Sequence, residues 1–556
     1  MPNLHLGALT RLHENLNRWR EILAILIEYG FQDVVERLGL GPVGRWLHAQ
    51  GPGNRHAQLP REVRIRMALS DIGTSGIKLG QILSTRGDLV GTALAAELER
   101  LQSDAPADPV ETIRHRIESD LGQPIEALFE GFEARPLASA SIAQVHGATL
   151  PGGERVVVKV RHPGVTERVR VDLAIMEDLV GLAERLPEFA AYRPMMVFRE
   201  FRRTLLRELD LSSEAAHMRR IAAIFRRDAG IRVPWIDGQR STRRVLTMER
   251  LEGIRISDLA GLRAAGLDLG QVARRGAEMY MEMILGHGFY HADPHPGNLL
   301  VLPDGAIGLL DYGMVGRLDA RTRDDIEDLM LAVIALDAER MTELVVKMAD
   351  VPNDLDSSAL AWELDEMVSN YANQPVERFD MSGALNELVD VIRAFHMVLP
   401  ANIALLIKVL VMLEGSGRLL NPEFNLIQAM RPYRRKLLAR RVSPQRQLRK
   451  LQRVGRDLDH LLDMLPGGLI DAIDLMRGGQ FYVHLDHRGL EPSVNRLVLG
   501  LVASSLFLGS ALLLAFDVPP LLRSTSLPGA LGGLLSVWLG LRVLRAIDRS
   551  GHLDGG

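Results

Sequence analysis

The sequence predicts an α+β protein with a helical N-terminal segment, a small lobe built on a strand hairpin, a larger helical lobe and a C-terminal pair of apolar helices. A run of β-branched residues, Arg155–Val160, follows a Pro-Gly-Gly turn, as strands of a hairpin do. From residue 268 onward helical patterns dominate, apart from the segment His291–Asp311. Leu497–Phe516 contains no charged residue, and about 20 apolar residues suffice to cross a bilayer as a helix.

The composition is that of a globular protein with several structural units. At 556 residues the chain is too long for one core, and hydrophobic and charged residues make up 47% and 24%. The net charge of −4 favours no partner, and the lack of cysteine excludes disulfides, thiolate metal sites and a cysteine nucleophile. Only six basic residues are lysines, so each lysine suggests a role that arginine cannot fill.

Two segments in the second half of the chain carry the groups that phosphoryl transfer needs. The segment His291–Asn298 reads HADPHPGN, and Asp311–Gly313 reads DYG. Asp293 has the spacing of the carboxylate that lies beside the phosphoryl acceptor in protein kinases. Asn298 and Asp311 have the spacing of the two residues that bind Mg²⁺ in those enzymes. Two short strands around an Asp-Gly turn should bring Asn298 and Asp311 side by side. The alternative is a loop in which these side chains only cap turns.

The same segment permits a second interpretation as a metal cluster. His291 and His295 are spaced i, i+4, which on a helix could bind zinc together with Asp293. Pro294 and Pro296 make a regular helix improbable there, so zinc is the weaker hypothesis.

Lys159 stands at the centre of an apolar strand, where a charge is costly unless it is paired. In kinases a strand lysine contacts the α- and β-phosphates and a glutamate on a helix. Glu214 is the predicted partner. Glu208 and Asp210, which we place on the same helix (about Phe198–Phe225), are the competitors.

Two backbone segments complete the predicted nucleotide site. The position of a kinase glycine-rich loop is taken by six small or apolar residues: Ala138, Ser139, Ala140, Ser141, Ile142 and Ala143. Small residues still let the backbone approach phosphates, although alanine lacks the freedom of glycine at positive φ. Met248, Glu249 and Leu251 follow a predicted strand and should form the hinge that pairs with adenine, although other interlobe connectors would look alike.

Together with Lys78-Leu-Gly-Gln81 and Glu208-Leu-Asp210, these segments resemble the UbiB family of atypical kinase-like proteins over about residues 60–340. The resemblance implies ATP and Mg²⁺ as cofactors, Asp293 in the catalytic-base position and Asn298 and Asp311 on the metal. It further implies that the extension containing Lys78 and Gln81 folds over the active site and blocks protein substrates. Lys78 would then contact Glu208 and Asp210.

Three departures separate the chain from ordinary protein kinases. Ala292 replaces the arginine of His-Arg-Asp, so activation by a phosphorylated loop is not expected. No Ala-Pro-Glu follows Asp311, which argues against peptide docking. Tyr312 replaces the phenylalanine of the Mg²⁺ segment, which is a mild change.

The predicted fold is therefore an atypical bilobal protein-kinase-like fold with an N-terminal helical extension and a C-terminal transmembrane helical hairpin. The predicted domains are the extension (1–130), the N-lobe (131–255), the mostly helical C-lobe (256–430), a basic helical linker (431–494) and the transmembrane hairpin (495–548).

The C-terminal region predicts a membrane protein. A second apolar stretch, Leu527–Leu541, follows the first after a short loop, and its glycines suit close packing in lipid and would permit a homodimer. A buried hairpin of a soluble domain is the alternative. The segment Arg431–Arg456 has eleven basic residues and no acid, so it could lie against anionic headgroups or simply be solvated. No aromatic interleaving supports nucleic-acid binding.

The resemblance implies a role in ubiquinone biosynthesis at the bacterial inner membrane, with the catalytic domain facing the cytoplasm. Membrane lipid, an isoprenoid quinone precursor and other quinone-biosynthesis proteins are the implied partners. We favour an atypical kinase or ATPase that transfers phosphate to water or a small molecule. A nucleotide-switched lipid-handling regulator with little catalysis is the alternative, and a protein kinase is third.

Overall fold

The computed structural model describes residues 17–37, 58–101, 105–186, 193–335, 337–352, 355–372, 379–430, 491–516, 518–522 and 525–548. The chain forms two compact units, Met1–Ser443 and Pro444–Gly556. The basic segment Arg431–Arg456, and with it the predicted linker up to residue 490, lies outside the described residues.

The N-terminal extension consists of short helices. They are α1 (17–28), α2 (Gln32–Val35), α3 (Arg61–Ile72), α4 (Thr74–Leu83), α5 (Gly87–Val90), α6 (Thr92–Leu98), α7 (Val110–Leu121) and α8 (Ile125–Leu128). Helix α4 packs closely because a Cβ at Gly80 would lie 2.1 Å from Cδ1 of Leu101. A larger residue at this position would therefore require the Leu101 side chain to move.

An antiparallel sheet follows the extension. Its strands are β1 (Gly131–Phe132), β2 (Ala138–Ser139), β3 (Ala143–Thr149), β4 (Arg155–Arg161) and β6 (Val245–Glu249). The order is β1-β3-β4-β6, and β2 pairs with β3. The predicted hairpin is confirmed as β3–β4, in which Lys159 lies opposite Val145, and Lys159 lies opposite Leu246 of β6.

Three helices lie between β4 and β5 in the chain, namely α9 (Val165–Ala183), α10 (Pro194–Glu208) and α11 (Leu211–Ile224), and α11 contacts β6. The single helix predicted for Phe198–Phe225 is wrong, because the chain breaks at Leu209 and Asp210. Asp210 has extended backbone angles, and its carboxylate accepts a hydrogen bond from the Ser212 N–H as the N-cap of α11. Glu208 therefore ends one helix and Glu214 lies in the first turn of the next.

A second sheet contains β5 (Ile231–Arg232), β7 (Ile254–Arg255), β9 (Leu299–Val301) and β10 (Ile307–Leu309) in the order β5-β10-β9-β7. Strands β9 and β10 are the two strands expected around the Asp-Gly turn. A third, two-stranded sheet pairs β8 (Phe289–His291) with β11 (Val315–Arg317). The chain passes from the first sheet to the second between Glu249 and Ile254.

Further helices of this unit are α12 (Leu259–Ala264), α13 (Leu269–Met281), α14 (Ala320–Ala335), α15 (Ala338–Met348), α16 (Ser357–Ala372), α17 (Met381–Ala394) and α18 (Ala401–Leu420). A π-helical turn, Glu282–His287, extends α13. Met279, Met281 and Met283 belong to the core. This core packs the second sheet against α13 and α18.

The described part of the second unit contains two helices, α19 (Glu491–Ala515) and α20 (Leu527–Asp548), joined through a two-stranded turn of β12 (Leu521–Leu522) and β13 (Thr525–Ser526). Within α19, Val498–Ala515 is long and apolar enough to span a membrane, with a mean hydropathy of 2.2. Only 11% of this stretch is buried. The apolar part of α20, Leu527–Arg542, is shorter.

Candidate active site

The two sheets bring Lys159 and Asp311 together. The Lys159 Nζ atom lies 2.9 Å from Oε1 of Glu214 and 3.3 Å from Oδ1 of Asp311. Of the three acidic residues considered for this lysine, Glu214 is therefore the one in contact. The Glu214 carboxylate is buried and also accepts a hydrogen bond from the Tyr312 N–H at 3.3 Å. Residues that are 152 positions apart in the chain thus meet at one point.

The charges of this cluster shift one another's pKa values. Burial acts to lower the pKa of Lys159, but Asp311 and Glu214 outweigh it and hold the pKa above its ordinary value. The Lys159 ammonium, against the effect of burial, holds the pKa of Asp311 well below its ordinary value, and Lys78 contributes in the same direction. The Asp311 side chain remains 55% exposed, so its carboxylate is accessible from solvent.

Asp311 sits in an unusual backbone conformation, with a φ of +46°. Left-handed backbone costs a non-glycine residue about 1–2 kcal/mol unless neighbours hold it. The Gly313 N–H donates to Oδ1 of Asp311 at 3.2 Å, and His291 Nε2 lies 2.6 Å from the Asp311 carbonyl oxygen. The strained residue is therefore fixed from both sides.

The hydrogen bonds of buried His291 assign its tautomer. Nε2 lies near two carbonyl oxygens, those of Leu310 and Asp311, so Nε2 carries the proton and donates. Nδ1 then accepts, and the Asp293 N–H and the Tyr280 hydroxyl lie 3.3 Å away. Since both ring nitrogens are used within the protein, the geometry gives no support to a zinc site at this histidine. His291 instead links the Asp293 and Asp311 segments.

Asp293 and Asn298 are also in contact. The Asn298 Nδ2 group donates to Oδ2 of Asp293 at 2.7 Å, which directs the amide oxygen of Asn298 away from that carboxylate. The Leu310 N–H donates to the Asn298 carbonyl oxygen at 2.8 Å and closes the β9–β10 hairpin. Asn298 and Asp311 thus stand at the two ends of one hairpin, as the sequence predicts.

The segment Ala138–Ala143 forms the tight turn between β2 and β3. The Ala140 N–H donates to the Ala143 carbonyl oxygen at 2.9 Å. His162 Nε2 lies 2.8 Å from the Ala140 carbonyl oxygen, and the Thr74 hydroxyl donates to the Ser141 carbonyl oxygen at 3.0 Å. Ile142 is buried and packs into the core around α9 and α10.

The predicted hinge, Met248, Glu249 and Leu251, begins at the end of β6 and leads toward the second sheet. The Glu249 N–H already donates to the Trp235 carbonyl oxygen at 2.9 Å, and Met248 bridges to Ile236. Among the backbone hydrogen bonds of the described residues, none is donated by the Leu251 N–H. Leu251 is therefore the hinge residue best placed to pair with a ligand.

The extension reaches this cluster through Lys78. Its Nζ atom lies 2.5 Å from Oε2 of Glu208, and both side chains are largely buried. Burial opposes the positive charge, but Glu208 holds the pKa of Lys78 above its ordinary value, with a further contribution from Asp311. Asp210, the other acid expected near Lys78, instead caps α11 and lies 3.5 Å from Arg243. Gln81 lies three residues further along α4.

Sequence reasoning missed two histidines beside the site. His162 bridges the Asp108 carboxylate, at 2.7 Å, and the Ala140 carbonyl oxygen, and so holds the β2–β3 turn. His217 Nδ1 lies 2.9 Å from the carbonyl oxygen of Tyr312. His162 follows the Lys159 strand and His217 comes three residues after Glu214, so their spacing from those residues was the available signal.

Comparison with known proteins finds three consecutive family matches. Residues 100–345 match the ABC1 atypical kinase-like domain, residues 364–425 the UbiB helical domain, and residues 485–549 the ABC1/UbiB kinase-like C-terminal domain. The first match identifies the two-sheet part of the chain as kinase-like. It covers every predicted site residue except Lys78 and Gln81.

Curated relatives match over most of their length. The chain is 34% identical to a probable protein kinase UbiB of Aeromonas salmonicida over 78% of this chain and 80% of that protein. It is also 34% identical to a probable protein kinase UbiB of Pseudomonas aeruginosa PAO1, over 81% of this chain and 86% of that protein. An uncharacterized protein from the hydrogenase 1 5′ region of Clostridium pasteurianum is 27% identical over 96% of this chain and 99% of that protein.

Among solved structures, the Rv3197–erythromycin complex from Mycobacterium tuberculosis is 25% identical, with a TM-score of 0.46 over 58% of this chain and 83% of that one. The curated relatives and the three family matches indicate the same family. The chain belongs to the UbiB family of atypical kinase-like proteins.

Proposed function

We propose that this protein binds Mg-ATP at the Lys159 cluster and transfers its γ-phosphoryl group to water or to a small molecule. The observation that carries the proposal is the convergence of Lys159, Glu214 and Asp311 within 3.3 Å. A strand lysine paired to a helix glutamate is the arrangement that positions phosphates in protein kinases. Asp293 then holds the position from which a carboxylate accepts the proton of the attacking hydroxyl.

The residues fit a magnesium ion that arrives with the nucleotide. The described residues contain no group of three or more His, Cys, Asp or Glu that could hold a metal alone. Magnesium at kinase sites needs fewer protein ligands, because it keeps several waters and binds the phosphates. The Asp311 carboxylate and the Asn298 amide oxygen would hold the ion, which neutralises phosphate charge when bound.

The turn Ala138–Ala143 supports the phosphate side of the proposal. Among the described residues, the buried hydroxyls of Ser139 and Ser141 have no hydrogen-bond partner. A buried hydroxyl without a partner costs free energy that an incoming acceptor would recover. Phosphate oxygens are acceptors of this kind, and the turn lies on the same sheet as Lys159.

The test is phosphate release by the purified full-length protein in detergent with Mg-ATP. Asp311→Asn keeps the shape of the side chain but removes the charge, so release should fall roughly hundredfold or more. Asp304→Asn is the matched control, because Asp304 only caps the β9–β10 turn through the Ala306 N–H and should leave the rate unchanged. Equal rates in Asp311→Asn and the wild type would refute the proposed site.

A membrane location and a role in isoprenoid quinone biosynthesis belong to the same proposal. The exposed apolar surface of Val498–Ala515 and the names of the relatives support them. Truncation before residue 495 should release the protein from the membrane fraction. Cells whose only copy carries Asp311→Asn should show an altered isoprenoid quinone profile, and an unchanged profile would contradict this role.

The contact of Lys78 with Glu208 favours a second candidate, a nucleotide-switched regulator with little catalysis. A cation from the extension stands near Asp311, where a substrate would approach. This candidate predicts nucleotide binding without turnover, and Asp311→Asn would then leave cellular function intact. A protein kinase would instead transfer radiolabelled phosphate to peptides.

A further inference from the structure

A cavity of about 140 Å³ lies between the extension and helices α17 and α18 of the larger lobe. Its first wall is the segment from Ser84 to Glu99, and its second wall is formed by α17 and α18. Lys408 of α18 lines it. None of the candidate nucleotide-site residues lines this cavity.

Lys408 is held by few hydrogen bonds for a buried ammonium. Its Nζ atom donates to the Ser84 hydroxyl oxygen at 2.8 Å, and the Ser84 hydroxyl in turn donates to the Gln81 carbonyl oxygen. The Glu99 carboxylate is 3.7 Å away, beyond hydrogen-bond distance. An ammonium has three donors, and Ser84 supplies the one acceptor that lies within hydrogen-bond distance in the described part of the chain.

The charge of Lys408 is only partly compensated, by an ion pair with Glu99 at 3.7 Å. Its side chain is only 16% exposed, and burial lowers the pKa of Lys408 despite Glu99 and Asp293. The other acid that lines the cavity, Asp88, is already neutralised by a bidentate pair with Arg86 at 2.9 and 2.8 Å. An anion that entered the cavity would therefore stabilise the ammonium.

The rest of the lining is largely apolar. Ala404, Ile407 and Val411 stand beside Lys408 on one face of α18, and Val389 and Leu399 complete the wall. The volume bounds the size of an occupant, since an engineered apolar cavity of about 150 Å³ accommodates benzene. A single ring with one acid group matches both the space and the charge.

We propose that this cavity binds a small organic acid, whose carboxylate pairs with Lys408 and whose apolar body packs against Ile407 and Val411. The site does not depend on phosphoryl transfer, since it uses none of the nucleotide-site residues. Glu99 is 44% exposed at the rim and can turn into solvent when the acid enters. The bound acid would contact both walls and so stabilise the contact between the extension and α18.

The experiment measures benzoate binding by calorimetry to the full-length protein in detergent. Benzoate should bind at millimolar concentration, and the neutral analogue benzamide should bind more weakly. Lys408→Met keeps most of the side-chain volume and should weaken benzoate binding roughly tenfold or more. Lys347→Met is the matched control, because Lys347 pairs with Asp325 on an exposed surface and should leave binding unchanged.

A second variant keeps the test decisive if Lys408→Met does not fold. Ala404→Leu fills the cavity without changing its charge, so it should abolish benzoate binding. Asp311→Asn should bind benzoate like the wild type even if it has lost ATP hydrolysis, which separates this site from the proposed function. Absence of benzoate binding, equal binding of benzamide, or unchanged binding in both cavity variants would overturn the proposal.

Discussion

Lys159 and Glu214 form an ion pair, 2.9 Å long, in which the carboxylate is buried and the ammonium also contacts Asp311. Removal of one partner of a buried pair leaves an uncompensated charge, whereas removal of both does not. The pair therefore links the stability of the small lobe to the position of the site.

A double-mutant cycle tests this link. Lys159→Met should lower the free energy of unfolding by about 3 kcal/mol, because Glu214 is left buried without its cation. The double variant Lys159→Met with Glu214→Leu should recover most of that loss. Thermal melting of the nucleotide-free protein measures both. If the loss in free energy of unfolding in the double variant equals the sum of the losses in the two single variants, the two side chains contribute independently.

The N-cap of α11 gives a second prediction. Asp210→Ala removes the acceptor of the Ser212 N–H and should lower the free energy of unfolding by about 1 kcal/mol. Asp268→Ala removes the equivalent cap of α13, where Asp268 accepts from the Gln271 N–H at 3.1 Å, at a similar cost. Only the first variant disturbs the helix turn that carries Glu214.

ATP hydrolysis should consequently fall in Asp210→Ala and stay near the wild-type rate in Asp268→Ala, when both are compared at equal thermal stability loss. Equal activities in the two variants would mean that the α11 cap contributes stability alone and does not position Glu214.

Buried His146 should make stability depend on pH. Its Nδ1 lies 2.8 Å from the Glu133 carbonyl oxygen, and its Nε2 lies 2.8 Å from the Gln144 amide nitrogen. Nδ1 therefore carries the proton and Nε2 accepts, so a second proton would face an amide donor. Burial lowers the pKa of His146. The unfolded chain, with an ordinary histidine pKa of about 6.5, then binds more protons than the folded one.

Because of this difference, the folded protein should lose stability as the pH falls. The stability due to neutral His146 is complete above about pH 6.5 and is lost as pH falls below it, by at most about 1.4 kcal/mol for each unit. Melting curves between pH 7 and pH 5 should show a shallower loss in His146→Gln than in the wild type. His115→Gln, at an exposed position of α7, should keep the wild-type slope.

The parts of the site that local patterns determine were predictable from the sequence. Asn298 and Asp311 stand at the ends of a short hairpin, so the Asp-Gly turn alone brings them together. The break at Asp210 was missed because α10 and α11 share helical periodicity on both sides of it. The signal was Asp210 two residues before Ser212, an N-cap pattern that competes with continuous helix.

Other contacts depend on the tertiary fold and have no local signal. Ser84 and Lys408 are 324 positions apart, and no pattern around either residue names the other. Likewise, the choice between Glu208 and Glu214 as partner of Lys159 depends on how α10 and α11 pack. Composition did draw attention to Lys78 and Lys159, because lysine is rare in this chain.

Removal of Lys78 should raise phosphorylation of the protein by itself. Lys78→Ala takes away the cation held by Glu208 near Asp311, and so loosens the contact of α4 with the site. Incubation with radiolabelled ATP and gel analysis measures the incorporated label. Lys347→Ala removes a lysine from an exposed pair and should incorporate no more than the wild type. Equal labelling of the wild type, Lys78→Ala and Lys347→Ala would argue against a blocking role for α4.

Close packing of the two C-terminal helices depends on Gly529. A Cβ at this position would lie 2.8 Å from Cγ of Leu514 and 3.1 Å from the Ser510 carbonyl oxygen, a backbone atom that cannot move away cheaply. Gly533, one turn further along α20, has nothing within 4 Å of an added Cβ. Small residues at such positions let apolar helices approach each other in lipid.

Gly529→Ala should therefore separate α19 from α20 and destabilise the hairpin, whereas Gly533→Ala should be neutral or stabilising, because alanine favours helix over glycine. Unfolding of the full-length protein in detergent, followed by Trp538 fluorescence after the other four tryptophans have been replaced by phenylalanine, compares the two variants with the parent protein. Since the substitutions are chemically identical and lie on the same helix, a difference between them reports the packing contact itself. Equal stability of the two variants would show that the helices do not rely on this close approach.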